Sequence, residues 1–77
     1  MTFKIELKLY ATLQAYAPAD AACYPVEAGT SVNTIVEALN IPRDQVKLIF
    51  SNGVKCELAT LVRENDRIGV FPPVGGG

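Results

Sequence analysis

Phe3, Ile5, Leu7 and Leu9 alternate with Lys4, Glu6 and Lys8, and a period of two sustained over this length predicts a β-strand with one buried face. The Ala-rich stretch from Tyr10 to Asp20 contains Pro18 and reads as a short helical turn or a loop leading to a second strand. That strand is predicted from about Ala22 to Glu27, with Tyr24 and Val26 on one face. Pro25 has no amide to donate, which assigns the strand to a sheet edge.

Gly29, Thr30 and Ser31 supply a turn and a helix N-cap. Val32, Ile35, Val36 and Leu39 then recur at helical spacing, so residues 31–40 are predicted to form an amphipathic helix with its apolar stripe on the sheet. Pro42 ends it, with Asn40 as the C-terminal cap. Val46 to Ser51 is a third strand. Asn52-Gly53 is a strong hairpin signal because both residues tolerate positive φ, and a short fourth strand from Val54 to Leu58 pairs back across it. Glu64-Asn65-Asp66 is a polar turn, followed by a last strand, Arg67 to Phe71, with Ile68 and Val70 on one face and Phe71 on the other. This order predicts an α+β fold, a mixed sheet of four to five strands with one main helix packed across it. A final strand lying beside the first is the pattern of a β-grasp, or ubiquitin-like, domain. It is expected to span residues 1–74, with 75–77 as a flexible glycine tail.

The chain's 77 residues make one small domain whose core cannot also wall a deep catalytic cleft. Hydrophobic residues are 49% and charged residues 19%, a balance that suits a folded domain and argues against disorder. The net charge of -1, with Lys and Arg spread along the chain, offers no basic patch for phosphates, so nucleic acid is not an expected partner. No apolar run approaches the roughly 20 residues that span a bilayer, and no signal-peptide pattern is present. A cytoplasmic location without membrane association is the expectation. Histidine is absent, which removes the commonest general base and metal ligand. Cys23 and Cys56 form no CxxC pair and read as reduced structural thiols. No metal site and no bound cofactor are expected.

The tail carries the chemistry. Phe71-Pro72-Pro73-Val74 leads into Gly75-Gly76-Gly77. Glycines without a Cβ pass through a tunnel too narrow for side chains, and the two prolines end the ladder and stiffen the segment upstream. A carboxylate is a poor electrophile, so the end requires activation with ATP to an acyl-adenylate, after which a sulfur nucleophile or an amine captures it. No GxxxxGK phosphate loop is present, so ATP is expected to be used by a partner.

The run from Asn65 through Phe71-Pro72-Pro73-Val74 to Gly77 resembles the end of MoaD/ThiS-type sulfur carriers, most of all the small subunit of molybdopterin synthase. The resemblance implies that an E1-like enzyme adenylates Gly77, that a sulfur donor such as a persulfide converts it to a thiocarboxylate, and that Gly76 completes the required pair. It implies sulfur delivery to a pterin precursor on the molybdopterin synthase large subunit, with this chain as the sulfur-donating subunit and not a catalyst alone. Two departures stand out: Asn65 where the family often has Gly, and Gly75 where Ala, Ser or Thr is common. A triple glycine also occurs in thiamine-pathway carriers, which is the alternative pathway. A ubiquitin-like modifier joined to lysines is the alternative class. Phe71, with Pro72, Pro73 and Val74, is expected to dock a partner, or Phe71 packs on a loop or neighbouring strand. Ile49 either extends this patch or is buried under the hairpin. Arg63 and Arg67 are candidates for pairing with acidic groups of the activating enzyme.

Overall fold

The computed structural model describes residues 1–73. Five strands, β1 (Thr2–Leu9), β2 (Tyr24–Glu27), β3 (Leu48–Ser51), β4 (Val54–Cys56) and β5 (Arg67–Phe71), form one sheet in the order β2-β1-β5-β3-β4. β1 and β5 run parallel at its centre, in register Glu6↔Arg67 to Leu9↔Val70, and the other pairs are antiparallel. The helix α1 (Val32–Ala38) packs Val32, Ile35 and Val36 onto one face. This is the β-grasp architecture, and β2 is an edge strand, as Pro25 requires.

The core is apolar throughout: Ile5, Leu7 and Leu9 of β1 meet Ile68 and Val70 of β5 and the stripe of α1. Leu13, in a 3-10 turn over Ala11–Tyr16, is fully buried. The connection predicted as a helical turn or a loop therefore supplies a core residue. Four stretches differ from expectation by one or two residues at a boundary. Ala21–Cys23 is a 3-10 turn, so β2 starts at Tyr24 rather than Ala22. Another such turn, Arg43–Gln45, takes the Val46 amide for the Arg43 carbonyl and delays β3 to Leu48. β4 stops at Cys56 because the Glu57 amide donates to the Thr60 hydroxyl, closing a turn. α1 is shorter at both ends than 31–40.

The ends of α1 show why it stops where it does. The Ser31 hydroxyl accepts from the Thr34 amide at 3.3 Å, and the Val32 and Asn33 amides donate to the carbonyls of Thr60 and Leu58. Helix-end donors are thus satisfied by a capping side chain and by the loop before β5. At the other end Asn40 sits at φ 62°. Its amide reaches the Glu37 carbonyl and the Ile41 amide reaches Val36, the Schellman arrangement with Asn in the glycine role.

The start of β5 is tied to the β3–β4 hairpin. Asn52 and Gly53 both have positive φ, 54° and 83°. This is a type I′ turn, whose twist matches that of the flanking strands. The Asn52 amide side chain donates to Asp66 Oδ1 at 3.0 Å and accepts from the Arg67 amide at 2.9 Å. Asp66 Oδ2 accepts from the Arg63 amide at 2.8 Å. Asn65, at φ 67°, donates to the Lys4 carbonyl. Two turns far apart in sequence are thereby joined where the last strand begins.

Candidate functional site at the end of the last strand

Ile68 and Val70 face the core, so Arg67, Gly69 and Phe71 face the other side of the sheet. Phe71 closes β5. Its carbonyl accepts from the Lys47 amide at 2.8 Å, and its ring lies parallel to Tyr10 at 4.2 Å, with the planes 5° apart. The Phe50 ring stands nearly perpendicular to it, with centroids 5.6 Å apart. The perpendicular contact with Phe50 is a preferred geometry for aromatic pairs. Phe71 remains partly exposed.

Gly69 lies in register with Lys8 on one side and Phe50 on the other. With no side chain it forms the floor of an open concavity of about 360 Å³, rimmed by Lys8, Tyr10, Phe50, Arg67 and Phe71. A Cβ at Gly69 would approach the Tyr10 ring at 3.4 Å. Glu6 bridges the two cations of this face, at 3.3 Å from Lys8 Nζ and 3.8 Å from Arg67 Nε. Arg67 therefore has an intramolecular carboxylate at hand, and such exposed pairs contribute little to stability.

Of the residues singled out in the sequence, Phe71, Pro72 and Pro73 sit together where the chain leaves the ladder, each half-buried. Ile49 does not join them. It is 5% exposed and belongs to the core, because it shares its face with its cross-strand neighbour Val70. The docking patch therefore excludes Ile49, and burial under the hairpin is the outcome. Val74, Gly75, Gly76 and Gly77 lie outside the described residues. Tyr10 and Phe50 were missed. Tyr10 continues the parity of Lys4, Glu6 and Lys8, and Phe50 is out of phase with Ile49, so the alternation itself carried the signal for both.

Cys23 directly precedes β2 and Cys56 ends β4. They stand at opposite edges of five strands, roughly 19 Å apart at about 4.8 Å per strand spacing, far beyond disulfide reach. Partial burial pushes the Cys56 thiol up, against an opposing hydrogen bond with Thr60. Among the described residues, no cluster of His, Cys, Asp and Glu is arranged to hold a metal ion, and no helix is long and apolar enough to cross a membrane.

The family model for Mut7-C ubiquitin matches residues 1–75. The chain belongs to the Mut7-C ubiquitin family. Similar solved structures include the HVO 2177 protein of Haloferax volcanii, with a TM-score of 0.77 and 22% identity over 99% of this chain and 88% of that one. SAMP1 from the same organism follows at 0.64 and 22%, covering all of both chains. A candidate molybdopterin converting factor, subunit 1, from Pyrococcus furiosus gives 0.63 and 20% over 94% and 99%. At these identities the likeness establishes the fold, and the resemblance to MoaD/ThiS-type proteins stands on that footing. No curated protein sequence matches this ubiquitin-family chain.

Proposed function

We propose that this Mut7-C ubiquitin-family chain is a sulfur carrier activated at the carboxyl group of Gly77. The observation that carries the reading is the geometry of β5. It is a central strand, anchored at its start by Asn52 and at its end by Lys47, and it hands the chain to Pro72-Pro73, then to Val74 and three glycines. A rigid stalk with a thin tip lowers the ordering cost that a partner must overcome, about 1–2 kcal/mol per residue fixed.

The Gly77 carboxylate attacks the α-phosphorus of ATP in an E1-like enzyme and displaces pyrophosphate. A persulfide on a sulfur donor then displaces AMP, and a second thiol cleaves the resulting S–S bond to leave a thiocarboxylate. Gly75 and Gly76 thread the partner's channel. Phe71, Pro72 and Pro73, with Val74, dock the folded body against the partner. ATP is consumed there, and no cofactor resides on this chain. The similarity in fold to the Pyrococcus protein supports a pterin precursor on a molybdopterin synthase large subunit as the acceptor. This chain would then act as the sulfur-donating subunit in molybdenum or tungsten cofactor synthesis.

The fold shared with SAMP1, and with the small archaeal modifier protein 1 of Methanosarcina acetivorans, favours a second reading, in which a lysine amine captures activated Gly77. Intact-mass measurement of protein from its own cell separates the two. Replacement of one oxygen by sulfur supports the carrier, and a ladder of heavier conjugates supports the modifier. Incubation with ATP and activating enzymes should yield an adenylated C-terminal peptide that disappears when Gly77 is deleted. A native product that continues past Gly77, or an end that no activating enzyme adenylates, overturns both readings.

A further inference from the structure

We propose that Tyr10 is a clamp that fixes where the chain leaves β5, and so is a positioning residue for the tail. The inference rests on the tail chemistry proposed above. β1 pairs with β5 only as far as Leu9↔Val70, so Phe71 extends past the ladder on that side. Tyr10 fills the gap. Its amide donates to the Val70 carbonyl at 3.2 Å, and its ring lies flat on Phe71.

Two neighbouring features make this placement possible. Ala11 takes φ 52°, a left-handed conformation that residues with a Cβ avoid. The chain thereby turns away into the 3-10 turn immediately after Tyr10. Strain held by the surrounding structure is a pointer to function when the outlier itself is observed. Gly69 supplies the second feature, since the Tyr10 ring lies where a longer side chain at 69 would stand. Phe71 is therefore held by Tyr10 on its ring face, by a perpendicular contact with Phe50 and by the Lys47 amide at its carbonyl. Pro72 begins from a fixed point, and a tail that starts from a fixed point loses less freedom when a partner orders it.

The test uses the full chain with Tyr10→Ala and Tyr10→Phe. Tyr10 is 37% exposed, so both variants should fold. Amide exchange at Lys47 reports the bond to Phe71, and exchange at Glu6, which donates to Asp66 at the far end of β5, is the control. In Tyr10→Ala, Lys47 should exchange about three- to tenfold faster relative to Glu6, the loss expected for one aromatic stack. Tyr10→Phe should stay within about twofold, since the ring is retained. With ATP and an activating enzyme, KM for the Tyr10→Ala chain should rise by a similar factor with kcat unchanged, because binding bears the ordering cost. Equal acceleration of both amides, or none, overturns the clamp, and local acceleration with an unchanged KM overturns its positioning role. If the unaltered chain is never adenylated, the carrier reading falls and takes the positioning role with it, while exchange still decides whether Tyr10 holds Phe71.

Discussion

Asn52 does two separable things, and two substitutions measure them. Its side chain makes bonds of 3.0 and 2.9 Å to Asp66 and to the Arg67 amide, and its backbone sits at φ 54°. Each bond is solvent-exposed, so the lower half of the usual range applies, about 0.5–1 kcal/mol each. Asn52→Gly removes both bonds but keeps easy access to positive φ, for a loss of about 1–2 kcal/mol. Asn52→Ala adds the cost of holding a Cβ in the left-handed region, about 1 kcal/mol more. Urea unfolding resolves the difference. With a slope near 1 kcal/mol per molar, the midpoint should fall by about 1–2 M for Gly and 2–3 M for Ala. A double-mutant cycle with Asp66→Ala should return a coupling of about 0.5–1 kcal/mol. A Gly variant as stable as the parent would refute any contribution from the clasp, and equal losses for Gly and Ala would refute the positive φ in solution.

Leu13→Ala should cost about 3–5 kcal/mol and lower the melting temperature by more than about 10 °C, because Leu13 is 0% exposed. Leu61→Ala, at a position 58% exposed, should stay within about 0.5 kcal/mol, and a small effect at Leu13 would place the 3-10 turn outside the core. Ala11→Gly should leave stability equal to or above that of the parent, whereas Ala38→Gly at the end of α1 should lose about 0.5–1 kcal/mol; equal losses in thermal melts would deny the left-handed turn. Alkylation at neutral pH should modify Cys23 before Cys56, and oxidation should give no intramolecular disulfide, both readable by peptide mass. The folded-state pKa of Cys56 lies above its ordinary value of 9.0, so its contribution is complete below that pH. It is lost as pH rises through the folded value. Alkaline denaturation should accordingly show a small component that is missing in Cys56→Ala.

Most of the element order was legible in the sequence. The alternation in β1, the i, i+3, i+4 stripe of α1 and the punctuation at Pro42 and Pro72 are local signals. So are the turn residues: Asn40, Asn52 and Asn65 all take positive φ in the structure. Boundaries were less legible. β3 starts late because the Val46 amide is taken by a turn, a choice made by hydrogen-bond geometry and not by the apolarity of Val46. The tail read as reactive lies outside the described residues. The part of the candidate site that is described was half visible: Phe71 was read on the open face, but Tyr10, its stacking partner, was read as the start of a connection.

By itself, then, the sequence determined what depends on a residue and its near neighbours: the period of each element, the left-handed turns, the cap at Ser31, and an end made of prolines and glycines. Backbone sterics and repeating geometry act within a few residues, so a linear reading captures them. Tertiary structure alone decided which side chains meet. It buried Ile49 with Val70, laid Tyr10 on Phe71 across a glycine, joined Asn52 to Asp66, and set the two cysteines at opposite sheet edges. Each of these follows from strand order and register, which arise from contacts between segments far apart in the chain.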